Sequence, residues 1–319
     1  MISGKQNKNF RTCCIVMMCM LYLTGCSTIQ MELCSPAVLI EDVSASSALP
    51  VENLPEGNVS DNPGIEWTFY NEEGMTLETR VNPPKGYTRP EVSEDSFARF
   101  LRNYPLKEHG SSVLLYNGEP KEDQTAHAAV FALPIETEDL QQCADSIMRI
   151  YAEYYRSTGQ QNKLSFHFTE EFTADYGKWR DGYRIQFSGN QFNWIKHTEY
   201  DDSYDTFIKY LRMVFAYAGT RSMDAWESVP ISLDELQVGD VFLRGDSPGH
   251  AMLVVDICYN AEGEKAFLLA QGHMPAQEFQ LAKNPAHPED PWYYENEVIY
   301  PFETIEYTFP EECLQRLTY

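Results

Sequence analysis

The chain is poor in positive charge. Its 319 residues carry 24 Lys and Arg against 48 Asp and Glu, a formal charge of −24 with the histidines neutral. A surface of that sign repels phosphate backbones and anionic headgroups, so no nucleic-acid partner is expected. Several motifs are missing as well. There is no His-Glu-x-x-His, no Cys-x-x-Cys pair and no cluster of histidines, which argues against a zinc site. Neither Gly-x-Gly-x-x-Gly nor a Gly-x-x-x-x-Gly-Lys loop occurs, and no cofactor is expected. The stretch GDSPG, Gly245 to Gly249, has the spacing of a serine nucleophile elbow. That elbow needs a helix after the serine, whereas Pro248 and a β-rich run follow here.

Long hydrophobic runs are lacking too. Cys13 to Leu23 is apolar but too short to span a bilayer comfortably. It follows Lys5, Lys8 and Arg11 and ends in Leu-Thr-Gly-Cys at 23–26. That order resembles the lipobox of bacterial lipoproteins, with residues 1–25 as signal peptide and Cys26 acylated as the new N-terminus. Removing 1–25 takes three basic residues and no acidic one. The lipid, not surface charge, must then hold the protein on the membrane. Ser27 stands where inner-membrane retention would place an aspartate, so the outer membrane of a bacterial envelope is expected. Residues 26–65, rich in Ser, Pro, Glu, Asn and Asp, read as a flexible tether. Of eight cysteines, Cys143, Cys258 and Cys313 fall in the remainder, 66–319, with no disulfide-framework spacing. At least some should be free thiols.

What is present in 66–319 reads as a single α+β domain. EDSFARFLRNYPL gives a short helix with Phe97, Phe100 and Leu101 on one side. SSVLLYNG and TAHAAVFALPI read as two strands around Asn117-Gly118. YDTFIKYLRMVFAYAG gives a helix that buries Phe207, Tyr210, Leu211, Val214 and Phe215 and stops at Gly219. The period then switches to that of strands in GDVFLRG, HAMLVVDICY, KAFLLAQGH and QEFQLA, an antiparallel meander following helices.

One cysteine heads a helix. In DLQQCADSIMRIYAEYY, Asp139 and Gln142 fit a capping box, and Leu140, Cys143, Ala144, Ile147, Tyr151 and Tyr154 form one stripe opposite Asp145, Arg149 and Glu153. Cys143 therefore faces inward, which suits an inert core thiol. The same placement suits a nucleophile, because a helix N-terminus and a nearby imidazole lower a thiol's pKa.

His250 supplies the imidazole. It opens a strand after a turn, an exposed placement suited to an active site. A hairpin loop over Asn260–Gly263 pairs Tyr259 with Glu264, sets His250 opposite His273 and leaves Gln271 on the same face; a slip of one residue would undo both. Gln271 or His273 would orient the ring. His127 alternates into a strand as a structural or pocket-lining group. The chain also has 20 Tyr, 17 Phe and 5 Trp. Trp179, Trp194, Trp226 and Trp292 could line a groove for glycan or peptide or, each taken singly, close the core.

The motifs LLYNG, DLQQCAD with AEY, YAGT, GDVF, PGHAMLVVD, LLAQ, MPAQ and PWY together resemble a family of bacterial lipoproteins known as a domain of unknown function. The resemblance runs from about Leu77 to Phe309 and implies a shared fold and envelope location. The helix head, LQVGDVFL, GHAMLVV and the next strand end resemble, more distantly, NlpC-type papain-like peptidases and amidases, which cut amide bonds in cell-wall peptides. That resemblance implies a papain-like arrangement of a helix pair on an antiparallel sheet. It makes Cys143 the nucleophile, His250 the base, Gln271 or His273 the orienting residue and Gln142 an oxyanion donor. The NlpC pattern has an acid before the cysteine and Ser-Gly after it, where this chain has Gln142 and Ala144-Asp145. The expected role is an envelope hydrolase or, alternatively, a non-catalytic lipoprotein that binds glycan or peptide.

Overall fold

The computed structural model describes residues 67–188 and 191–319. The signal peptide, Cys26 and the tether lie outside the described residues. The rest is α+β, helices packed on an antiparallel sheet. Four helices matter for the site: α1 (Phe97–Arg102), α2 (Cys143–Ser157), α3 (Tyr204–Phe215) and α4 (Thr220–Trp226). The large sheet contains β1 (His127–Val130), β2 (Ser228–Pro230), β3 (Asp240–Arg244), β4 (His250–Tyr259), β5 (Lys265–Gln271), β6 (Gln280–Ala282), β7 (Tyr293–Tyr294) and β8 (Leu314–Leu317). Its order is β1-β6-β5-β4-β3-β8-β2, with β7 also on β5. The meander β3 to β6 is the one expected from sequence. Its flanks are closed by β1 from early in the chain and β8 from its end.

β4 is the centre of the sheet and is buried along nearly its whole length, because both faces are covered. Val241, Leu243, Ala251, Leu253 and Val255 pack into the core shared with Ala144, Ile147, Met148 and Tyr151 of α2. Phe242, Met252, Val254, Phe267 and Leu269 face the other way, onto Phe302 and Phe309. The hairpin register differs from expectation at the loop, where Tyr259 pairs with Lys265 rather than Glu264. A bulge between Val254 and Asp256 takes up one residue, so Leu253 lies opposite Ala270. The slip is cancelled before the strand reaches His250.

Asp256 sits at that bulge, fully buried, with Arg89 Nε 2.5 Å and Arg102 Nε 2.9 Å from its carboxylate. Elsewhere the structure redraws local expectations. SSVLLYNG makes no strand of the sheet; Leu114 and Leu115 form single bridges to Pro120 and Gln277. α3 ends before Ala216, and Gly219 opens α4. Opposite Cys143 on α2, Asp145 and Arg149 are buried as well. Arg149 is fully buried, bonded to Glu153, Gln141 and Tyr204, because the segment before α2 and the head of α3 cover it.

Candidate active site

α2 begins at Cys143 itself. Gln142 is its N-cap residue, and its N–H donates to Asp145 Oδ2 at 3.1 Å. Asp139, expected as the cap, instead accepts from Ala276 N–H at 2.7 Å and from Gln142 Nε2 at 3.2 Å. This ties the segment before the helix to the loop after β5. Gly272 makes the approach possible: a Cβ there would lie 2.3 Å from Ser146 Oγ and 2.8 Å from Gln142 O. The head of α2 is thereby set over the ends of β4 and β5.

Cys143 is half-buried and free, and it lines a cleft of about 360 Å³ with Gln142, Asp139, Asp145, Gly249 and Met274. The backbone N–H groups of Ala144, Ala251 and Cys143 itself favour its thiolate. Burial, and then Asp145, outweigh them and push the thiol up to about 11. Asp145 is itself raised to about 8 by burial, against the N–H groups of Gln142 and Asp145. Its Oδ1 and the neighbouring Ser146 Oγ are buried without a hydrogen-bond partner among the described residues.

His250 is not exposed. It retains 2 % of its surface, because the tip of the C-terminal hairpin (Phe302–Glu303 with Thr308–Phe309) closes over it. Its ring centroid lies 4.9 Å from that of Tyr307 and 5.0 Å from that of His273. Burial lowers its pKa to about 4, a hydrogen bond to Gln271 opposing. The two expected orienting residues divide. Gln271 Oε1 is 2.6 Å from His250 Nε2, whereas the His273 ring lies tilted at 48° to that of His250 and turns its Nδ1 to Met274 O.

A residue absent from the sequence reading sets this geometry. Glu306, at the hairpin tip, accepts from Gln271 Nε2 at 2.8 Å and from Gln280 Nε2 at 3.2 Å, and its other oxygen meets Lys121 Nζ at 2.5 Å. A carboxylate only accepts, so the Gln271 amide must turn its NH2 to Glu306 and its oxygen to His250. Nε2 of His250 then carries the proton, and Nδ1 is left as the basic nitrogen.

Thiol and ring approach β4 from different sides. Cys143 reaches the strand at the N–H of Ala251, one peptide from His250, on the α2 face. The His250 ring lies on the opposite face with Tyr307 and Phe309. Among the described residues no hydrogen bond joins Cys143 Sγ to His250. Gln142 stands beside the thiol at the cleft wall. Of the four tryptophans, Trp179 and Trp292 close the core and donate to Thr206 O and Asn82 O, Trp194 packs partly buried against it, and Trp226 is exposed. Among the described residues no group of His, Cys, Asp or Glu could hold a metal ion.

Fold and site define an α+β domain with a helix-head thiol and a strand-end imidazole on opposite faces of one strand. Residues 77–316 match a domain of unknown function, DUF4846, and the chain belongs to that family. No curated protein and no solved structure matches the chain.

Proposed function

We propose that this chain is a lipid-anchored, papain-like cysteine hydrolase that cuts amide bonds in cell-wall peptides. The observation that carries the reading is the seat of the thiol: Cys143 opens α2 in an open cleft, one peptide from a histidine whose outer nitrogen is held by Gln271. In the reaction, His250 Nδ1 takes the Sγ proton and the sulfur adds to the amide carbonyl carbon. The Cys143 N–H and the Gln142 side-chain amide bind the oxyanion. Collapse breaks the C–N bond, and the imidazolium returns its proton to the leaving amine. Water then hydrolyses the thioester with the same imidazole as base. With the thiol raised to about 11 and the imidazole lowered to about 4, both rest uncharged at neutral pH. Because the ring and the thiol lie on opposite faces of β4 and His250 does not line the cleft, the mechanism requires the His250 end of β4 to rearrange on substrate binding so that Nδ1 reaches Sγ. Envelope address and the NlpC resemblance suggest muropeptides as substrate.

Cys143→Ala should reduce amine release from a panel of cell-wall peptides by about a thousandfold or more. Unchanged turnover would dispose of the mechanism. The lipid anchor has its own test, loss of palmitate incorporation in Cys26→Ser. A second reading, a non-catalytic envelope lipoprotein that binds glycan or peptide, is favoured by the raised thiol pKa and the missing hydrogen bond to His250. A wild-type chain that releases no amine from any peptide of the panel would leave that reading standing.

A further inference from the structure

A second concavity lies at the β1 edge of the sheet, away from Cys143. It has a volume of about 790 Å³, within the ~300–1,000 Å³ of small-ligand sites. His127 and Tyr70 line it, and each holds a buried polar atom with no hydrogen-bond partner among the described residues: His127 Nδ1 and Tyr70 Oη. The two atoms differ in kind. His127 Nε2 lies 3.1 Å from Ser111 O. A carbonyl only accepts, so the proton is on Nε2 and Nδ1 is a bare acceptor. Burial lowers the pKa of this histidine and keeps the ring neutral. Burial, with Asp290 and Glu289, raises that of Tyr70 far above its ordinary value, so its hydroxyl keeps its proton and can donate.

The remaining wall narrows the chemistry. Trp67 is exposed at 36 %, with Phe69 edge-on at 4.4 Å and Lys85 Nζ 5.4 Å from its ring centroid, and contributes an indole to the wall. Among the described residues, Glu72, Glu108 and Glu289 line it with one lysine, Lys283, and with His109, whose Nε2 lies 3.8 Å from Glu72 Oε1. Such a rim repels anions and accepts hydroxyl protons. A bare acceptor, a bare donor, carboxylate acceptors and an aromatic plate together match a ligand that carries many hydroxyls, an apolar C–H face and no negative charge.

We propose that this pocket binds a neutral saccharide, with Trp67 under the sugar ring and His127 Nδ1 and Tyr70 Oη bonded to its hydroxyls. The subsite shares no lining residue with the Cys143 cleft and does not depend on hydrolysis. A glycan bound here would hold the protein on a polysaccharide while the cleft acts elsewhere.

The test is a calorimetric titration of the full chain with chitotetraose, cellotetraose and tetragalacturonate. A neutral tetraose should bind and the anionic one should not. Preference for chitotetraose identifies wall amino-sugar strands as the source, and preference for cellotetraose a glucan; either supports the site. Tyr70→Phe, which removes one hydroxyl, should weaken binding about tenfold, the worth of one hydrogen bond whose partner is left unpaired. Trp67→Ala, at an exposed position that the core does not need, should abolish it. Cys143→Ala should bind as the parent does, so the hydrolase reading can fail while this one stands. No neutral tetraose bound at millimolar concentration, equal binding by both pocket variants and the parent, or tighter binding of the galacturonate would each overturn the proposal.

Discussion

β4 carries two buried polar clusters, one on each side of its bulge. At the far half, Asp256 meets the guanidinium groups of Arg89 and Arg102, which also donate to Val81 O and Pro90 O. At the near end, His250 meets Gln271, Glu306 and Lys121. Both are polar, both sit in the sheet, and both recruit partners from distant parts of the chain. They differ in what lies beside them. The Asp256 carboxylate is sealed, its charge matched by cations that pin the N-terminal segments to the sheet. The His250 end borders, through Gly249, an open cleft lined by the Cys143 thiol and by Asp145, whose Oδ1 has no partner among the described residues. Buried polarity that closes on itself is architecture, whereas buried polarity that stops at a cleft is available to a ligand.

That distinction breaks if the two clusters respond alike to mutation. Asp256→Ala should have the largest effect on stability, about 3–5 kcal/mol in urea unfolding, since it strands two cations of which Arg102 is buried. Turnover per folded molecule should be unchanged. His250 should instead report through pH. Its folded pKa, about 4, lies below the ordinary 6.5, so the unfolded chain binds more protons between these values. Stability is fully present above 6.5 and is lost as pH falls towards 4, by up to roughly 3 kcal/mol. Urea midpoints of His250→Gln should lack that share of the acid slope. A parent and variant with parallel slopes would mean the ring is charged when folded.

The thiol side sharpens the comparison next. With Cys143 raised to about 11 from the 9.0 of a free thiol, its alkylation by iodoacetamide at pH 8 should be about a hundredfold slower than in the urea-unfolded chain. Peptide mass spectrometry resolves Cys143 from Cys258 and Cys313. A cleft-binding peptide that speeds the reaction would be direct support for a dyad assembled by substrate. Glu306→Ala should follow, lowering kcat about tenfold with KM little changed. Its loss frees the Gln271 amide to turn over and offer NH2 to His250, which takes the basic lone pair away from Nδ1. The His250 ring signals in ¹⁵N NMR should then show the other tautomer.

Sequence alone reached the elements that rest on local patterning and missed those that rest on the end of the chain. The apolar stripe of α3 and the β-rich runs of β3 to β5 were legible because burial enforces their periods. The start of α2 was not, because Asp139 caps no helix and serves Ala276 instead. Nor was the strand ending at Leu115, whose alternation is right but whose N–H turns back to Glu119. At the site, the meeting of His250 with Gln271 was anticipated from a register wrong at the loop and made right by the bulge at Val255, which no local signal announces. The burial of His250 and the role of Glu306 were out of reach. Glu306 lies 35 residues beyond Gln271, and Tyr307 comes from the same hairpin of two-residue strands.

Lys121 offers the finest cut. It reaches Glu306 from the far side, with both side chains only partly buried. If the relay orients His250 through geometry, Glu306 needs only its two amide donors, Gln271 and Gln280, and the ammonium is a partner of modest value. Lys121→Met should then cost under about 1 kcal/mol in stability and about twofold in kcat, as a partly screened ion pair does. The His250 tautomer should be that of the parent. A loss matching that of Glu306→Ala would mean that the charge of Lys121, rather than the amide chain, fixes the carboxylate, and would move the origin of the site's order from the sheet to the loop before β1.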